Sequence, residues 1–519
     1  MKRIHPPALA ILLLAVPPCA LRGDPAPVGL LPIPAKIELR PGTFRLDANT
    51  RVVAPAYLKA EATTLAADLK LTGPVLPPDQ AFAVAGGIRL DLNPELGGMA
   101  PEGYSLKVGA NGIELTAPTA AGIFYGGRTL LQLLPTADPG GFGEIPGIRI
   151  KDAPRFAWRG LMLDCSRTFQ SLEYLRATVD RMARYKLNTL HLHLTDDQGW
   201  RLEIQAYPEL TRKGAVFPEQ YGEPPRHQGF YTQAQMREFV AYAAARHVTI
   251  VPEIEMPGHS LAALSCYPEL SCTGGPFEIF PFFKGPNVNA NVFCAGNDAT
   301  FEFFDKVLAE VAVIFPGSYI HIGGDEVPKT AWHACAKCQA RMKAEKLTNE
   351  AELQSYFIRR AEKLVIKHGK RLIGWDEILE GGLAPNATVM SWRGVQGGIA
   401  AAGAGHDVVM SPTSHCYFDY SYQTINSARV FSFDPVAGMT PDAARHVLGL
   451  QANFWSHIDR EPELVDRQLF PRLLALAERG WSQDNRGEWA GYQRRAQAQL
   501  PRLERLGIHY QTGDMPAVP

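Results

Sequence analysis

Residues 160–194 read GLMLDCSRTFQSLEYLRATVDRMARYKLNTLHLHL: an apolar run of strand length (Gly160–Cys165), an amphipathic stretch (Leu172–Tyr185) and a second apolar run (Thr189–Leu194). This is a strand–helix–strand unit, and the rhythm continues. Apolar runs recur at Thr249–Ile254, Tyr319–Ile322, Arg371–Trp375, Thr388–Trp392, Asp407–Ser411 and Gly449–Trp455. Gln233–Arg246, Phe301–Ile314 and Glu352–Lys367 read as helices between them. Eight strands alternating with helices predict an α/β fold, a (β/α)8 TIM barrel, over residues 151–519. A doubly wound open sheet is the competing arrangement, but no glycine-rich phosphate loop follows an early strand.

Outward from the barrel, residues 24–150 read as a small α+β domain. Tyr104–Val108 and Ile113–Thr116 form a hairpin signal across Asn111-Gly112, and Ala120–Leu134 follows as an apolar helix. This part carries no chemistry, so support or docking is its expected role. Residues 1–23 have Lys2 and Arg3 before an apolar run, Ala8–Val16, too short to span a bilayer. They predict a cleaved export signal, hence a periplasmic or secreted protein. Lipid attachment at Cys19 is disfavoured by Pro17-Pro18.

A formal net charge of -1 excludes the basic field that nucleic-acid binding needs. No later stretch is apolar for long enough to cross a membrane. Export permits disulfides, and Cys272 and Cys294, bracketing a Gly/Pro/Phe-rich loop, are the expected bridge. Cys335-Ala-Lys-Cys338 suits a short-loop disulfide, a redox pair or half of a metal site. No second CxxC or His pair completes a zinc site, so no metal or cofactor is expected.

A barrel places its chemistry where strands end. Those positions hold Asp164 and Arg167; His191, His193, Asp196 and Asp197; Glu253, Glu255 and His259; and Asp325 with Glu326. Later strands add Trp375, Asp376 and Glu377; Trp392 and Arg393; His415, Tyr417 and Asp419; then Trp455, Ser456 and His457. In HIGGDE (His321–Glu326), aiming two adjacent acids at one target needs a bend, which Gly323 and Gly324 permit. Two crowded carboxylates resist ionising together, and a proton donor beside a fixed negative charge suits glycosidic cleavage. Tryptophans at three strand ends suit the apolar faces of sugar rings. His191-Leu-His193 has the spacing of metal-dependent amidohydrolase barrels, but it lies inside the second strand rather than at its mouth; hydrogen-bonded core histidines are expected.

RGLMLDCSR (Arg159–Arg167), LHLHLTDDQGW (Leu190–Trp200), PEIEMPGH (Pro252–His259), HIGGDE, GWDE (Gly374–Glu377) and Tyr417-Phe-Asp419 resemble the β-N-acetylhexosaminidases of glycoside hydrolase family 20. The resemblance spans the barrel in the right order, and the preceding domain resembles that family's too. It implies exo-acting removal of terminal β-linked N-acetylglucosamine or N-acetylgalactosamine from an oligosaccharide or glycoconjugate, with retention, the substrate's acetamido group acting as nucleophile. On that pattern Glu326 is the acid/base, Asp325 holds the acetamido N–H and Tyr417 its carbonyl. Asp196 and His259, with Glu255 behind them, tune Glu326. Arg167 and Asp419 bind hydroxyls, and Trp375, Trp392 and Trp455 wall the pocket.

One position departs from the pattern. Where the family has Trp, a small residue and Glu, this chain has Trp455-Ser456-His457. A histidine accepts only through one neutral nitrogen and is expected to become a cation at mildly acidic pH. Altered preference at the outer hydroxyls is therefore expected, with the chemistry retained. Three alternatives stand beside this reading. They are a relative releasing a disaccharide, a non-catalytic sugar-binding protein and the metal hydrolase.

Overall fold

The computed structural model describes residues 29–83, 86–96, 98–135, 142–284, 292–483 and 487–515. The expected export signal, residues 1–23, lies outside them. The first part of the chain forms a six-stranded sheet from β1 (Lys36–Leu46), β2 (Val52–Val53), β3 (Ile88–Leu92), β4 (Tyr104–Gly109), β5 (Gly112–Ala117) and β6 (Gly143–Asp152), in the order β1-β6-β4-β5-β3-β2. The helix Ala120–Leu133 packs on β4 and β5. The β4–β5 turn is Ala110-Asn111, one residue earlier than the Asn-Gly signal, because Gly109 pairs with Gly112.

From β7 (Trp158–Asp164) and β8 (Thr189–His193) onward the chain builds the barrel. A two-stranded ribbon, β9 (Thr195–Asp196) with β10 (Gly199–Trp200), tops the second strand. Then come β11 (Thr249–Glu253), β12 (Tyr319–His321), β13 (Arg371–Trp375), β14 (Thr388–Ser391), β15 (Val408–Met410) and β16 (Val447–Phe454). The eight strands β7, β8 and β11–β16 close on one another, all neighbours parallel. The expected (β/α)8 barrel is what forms. Strand periodicity points alternate residues inward. Trp158, Val251, Ile373, Trp375, Met390 and Val409 fill the interior as a packed cluster. The helix Leu172–Arg184 shows why the crossovers hold. Tyr174, Leu175, Thr178, Val179 and Met182 recur at helical spacing on its buried face, and Ser171 caps it by accepting from the Tyr174 N–H at 3.1 Å.

The sheet domain docks beside the ends where the strands begin. Arg159, near the start of β7, pairs with Glu102 at 2.8 Å. Lys186, just before β8, donates to Asp152 and to the Tyr104 hydroxyl, both at 2.9 Å. Asp152 also accepts from Tyr104 at 2.6 Å and from the Trp481 indole at 2.9 Å. Lys186, Asp152, Tyr104 and Trp481 thereby form a buried, paired polar joint between the sheet and the barrel.

Two expectations about cysteine fail. No Cys272–Cys294 bridge forms; all seven described cysteines are free thiols. The Cys335-Ala-Lys-Cys338 pair is also not short of partners, because the fold carries Cys272 and Cys294 to it, a convergence that sequence spacing does not show.

Candidate active site

β12 is only three residues long, and its end is bent hard. Gly323 and Gly324 take φ of +64° and +90°, and Glu326 itself takes +45°. A Cβ on Gly323 would lie 1.6 Å from the Glu255 carboxylate, so glycine is required for space as well as for conformation. The bend presents Asp325, buried, and Glu326, exposed, to the cavity at the mouth of the barrel. A non-glycine residue held at positive φ stores strain, which the surrounding packing must sustain.

His259, also at a φ of +45°, stands between the two acids and Asp196. Its Nε2 lies 3.4 Å from Asp325 and 3.6 Å from Glu326; its Nδ1 lies 3.2 Å from Asp196. Burial would lower its pKa, but Asp196 and Asp325 outweigh burial and hold it well above the usual imidazole range. The facing imidazolium in turn holds Glu326 below the usual carboxylate range. Asp196 is opposed by burial yet kept well below its range by Arg167 and His259, with Arg167 at 2.9 Å and His193 at 2.7 Å. Glu255, buried behind Asp325, goes the other way: burial and the Asp325 charge push it well above its range.

Beneath this relay, β11 is in register with both neighbours, pairing Glu253 with His193 on β8 and with His321 on β12. Glu253 lies 2.5 Å from His193, 3.0 Å from His191 and 2.9 Å from His321, and it accepts from the Trp375 indole at 2.8 Å. Burial raises its pKa, but the three histidines hold it well below the usual range. The His191-Leu-His193 pair is thus buried in a knot around Glu253, with His193 hydrogen-bonded to Glu253 and Asp196 and His191 Nδ1 facing Gln451 Nε2 at 3.1 Å, rather than open at the mouth. His191 is pushed down to about 4 by burial.

A cavity of about 650 Å³, within the size range of small-molecule sites, opens above the knot. Arg167, Asp196, His259, Asp325, Glu326, Trp375, Trp392, Tyr417, Asp419, Trp455 and His457 all line it. Trp375 and Trp455 lie with ring centroids 6.0 Å apart, and Trp392 stacks near Tyr417 at 6.0 Å. Arg167 lies 4.7 Å over the Trp455 ring. Burial, Asp325 and Asp419 raise Tyr417 well above the usual phenol range, so it remains a hydroxyl donor. Burial lifts Asp419 to about 7. His415 stands away from this cavity, stacked on Phe433.

His457 corrects an expectation. Burial and the neighbouring Arg167 charge push it down to about 4, so it is a neutral ring at mildly acidic pH rather than a cation. It packs against Phe282 at 4.4 Å. Phe282 and Phe280, with Gln198, Pro328 and Tyr420, also line the cavity and were not marked by strand-end reading. The two phenylalanines lie in a long loop after β11, and the signal for them was the aromatic density of FEIFPFF.

The comparisons agree with this geometry. The description "Glycosyl hydrolase family 20, catalytic domain" matches residues 156–484, and "Glycosyl hydrolase family 20, domain 2" matches residues 28–153. The chain is 42% identical to a beta-hexosaminidase of Porphyromonas gingivalis, over 98% of this chain and 68% of that one. It is 32% identical to a beta-N-acetylhexosaminidase of Cellulomonas fimi, over 93% and 96% respectively. Among solved structures, a GH20 exo beta-N-acetylglucosaminidase from Vibrio harveyi in complex with N-acetylglucosamine superposes with a TM-score of 0.84 at 33% identity, covering 93% of this chain and 78% of that one. The GH20 beta-N-acetylhexosaminidase from Streptomyces coelicolor A3(2) gives 0.82 at 35% identity, covering 95% and 98%. With both of its family regions matched and a barrel mouth equipped for glycosidic cleavage, the chain belongs to glycosyl hydrolase family 20.

Proposed function

We propose that this glycoside hydrolase removes terminal β-linked N-acetylhexosamine from oligosaccharides or glycoconjugates, with the sugar's own acetamido group as nucleophile. The observation that carries the reading is the adjacent pair Asp325 and Glu326 around one imidazole, 3.4 and 3.6 Å away, rather than two carboxylates facing each other across the cavity. Neighbouring acids can serve different atoms of one sugar. The acetamido carbonyl oxygen attacks C1 while the bond from C1 to the aglycone oxygen breaks, and Glu326 gives its proton to that oxygen from the protonated form, which His259 makes the minor one except at acidic pH. Asp325 accepts from the acetamido N–H and stabilises the positive charge of the oxazolinium ion. Tyr417, kept as a phenol, donates to the carbonyl oxygen and orients it. Water then attacks C1, Glu326 takes its proton, the ring opens, and configuration is retained.

Arg167 and Asp419 take ring hydroxyls, while Trp375, Trp392 and Trp455 pack on the sugar and wall its pocket. The test compares an aryl N-acetyl-β-glucosaminide with the same aryl sugar carrying a 2-hydroxyl. Substrate assistance makes the second almost inert. Comparable rates, or a trapped glycosyl ester on any side chain, would overturn the mechanism.

A further inference from the structure

Four cysteines from separate segments meet beside the barrel mouth. Cys272 follows the turn Pro268–Leu270, Cys294 ends the phenylalanine-rich loop, Cys335 is the N-cap of the helix Ala336–Glu345, and Cys338 lies in that helix's first turn. The Sγ atoms are 3.7 Å apart for Cys272 and Cys338, 3.7 Å for Cys294 and Cys335, and 3.6 Å for Cys294 and Cys338. All four lie within 4.8 Å of one another. Four thiolates at about 2.3 Å from one ion form a tetrahedron with edges of about 3.8 Å. A disulfide brings two sulfurs to about 2.05 Å. The observed spacings are those of the tetrahedron, and Cys294 and Cys338 each hold two such neighbours rather than one bonded partner.

A second, independent feature shapes the site. Just after Cys294, Gly296 passes so close to the Cys335-x-x-Cys338 turn that a Cβ would lie 2.2 Å from the Lys337 carbonyl and 2.5 Å from the Cys338 nitrogen. Only glycine lets the two backbones close around the sulfurs. Cys294, Cys335 and Cys338 are buried and Cys272 is partly so.

We propose that Cys272, Cys294, Cys335 and Cys338 bind one zinc ion as a closed structural site. A four-sulfur tetrahedral set selects zinc over hard cations, and with four protein ligands no position remains for substrate. Its role is positional. The chain between Cys272 and Cys294 carries Phe280 and Phe282 into the cavity wall, and Cys335 and Cys338 follow the Asp325-Glu326 loop. The ion thereby ties the aromatic wall, and His457 packed on it, to the loop that delivers the acid. This inference does not depend on which glycoside is cleaved.

Export, if the N-terminal segment directs it as expected, would favour oxidised thiols, which makes the test sharp. The full chain is purified without reductant or chelator, its metals are measured by plasma mass spectrometry, and its cysteine peptides are mapped. One zinc per chain is expected, with four thiols that react with a thiol reagent only once a chelator is added. Disulfide-linked Cys272–Cys338 and Cys294–Cys335 peptides without metal would overturn the proposal. So would stoichiometric iron, or metal-free protein that takes up no zinc on titration. Cobalt exchanged into the wild-type protein should give the intense visible absorption of tetrahedral cobalt–thiolate, and its absence counts against the site. Cys338→Ser should lose the zinc and raise KM more than it lowers kcat. If that variant fails to fold, the wild-type zinc and cobalt measurements decide alone.

Discussion

Two buried polar clusters in this chain have opposite characters. At the joint between the sheet domain and the barrel, Lys186, Asp152, Tyr104 and Trp481 satisfy one another at 2.6–2.9 Å. At the barrel mouth, both carboxyl oxygens of Glu255, one of Asp325, one of Asp419 and Nδ1 of His457 have no hydrogen-bond partner among the described residues. An unpartnered buried polar atom costs about 1–3 kcal/mol. Positive φ does not separate the two clusters, since Lys186 at the joint takes +64° as Glu326 and His259 at the mouth take +45°; what the mouth adds is unsatisfied and raised acids around one cavity, the pattern of desolvation found where chemistry is done.

The comparison breaks most visibly at the acids. Glu326→Gln should lower kcat by about 10²–10⁴-fold on substrates with poor leaving groups, and far less on activated aryl glycosides. Asp325→Asn should lose about 10²–10³-fold on both if the proposed oxazolinium forms, because its charge needs stabilising whatever departs. Neither should lower Tm. At the joint the pattern reverses. Asp152→Ala strands the Lys186 ammonium in a buried site, costing about 3–5 kcal/mol on chemical denaturation while kcat of the folded enzyme stays at the wild-type level. Equal losses of stability at both places would erase the distinction.

Smaller effects sharpen it through pH. Glu326 must carry a proton in the free enzyme to act as acid, and the alkaline limb of kcat/KM reports that ionisation. His259 lowers the Glu326 pKa, so His259→Asn should move this limb to higher pH as it slows the reaction. A limb that stays put would remove His259 from the relay. Glu377 is raised by burial and the Asp325 charge to about 8 from an unfolded value of 4.5. Between those values the unfolded chain releases a proton that the folded chain retains, so stability falls as pH rises through the window. Glu377→Gln should therefore match wild type in Tm below pH 4.5 and exceed it increasingly towards pH 8.

How much of this was readable follows from the range of each signal. Strand and helix periods are local, so the barrel strands were legible to within a residue or two, as β13 at Arg371–Trp375 shows. Strand-end positions are local too, which is why eleven expected site residues share one cavity. What needed three dimensions was hidden. Phe280 and Phe282 reach the cavity from a segment with no period, the Glu253 knot depends on register between three strands, and the four cysteines meet from segments far apart in sequence. The His457 charge state failed for the same reason, since burial and Arg167 set it and neither lies beside it in sequence.

That residue supplies the finest test of the contrast. Pushed down to about 4, His457 is mostly neutral at pH 5 and almost wholly so at pH 7. A neutral imidazole packed on Phe282 offers the outer hydroxyls of the sugar one acceptor or one donor, and that offer does not change across the range. The ratio of kcat/KM for aryl N-acetylglucosaminide over aryl N-acetylgalactosaminide should then stay constant within about twofold from pH 5 to 7. His457→Glu places a carboxylate with two acceptor oxygens at the same spot and should shift that ratio by about tenfold, because recognition of a hydroxyl depends on the partner left unpaired. A ratio that swings with pH in the wild type would mean that the ring titrates inside the range and that Arg167 does not hold it neutral. A ratio indifferent to the substitution would mean that the outer hydroxyls are read elsewhere on the wall, with Asp419 and Arg167 the nearest polar candidates lining the same cavity.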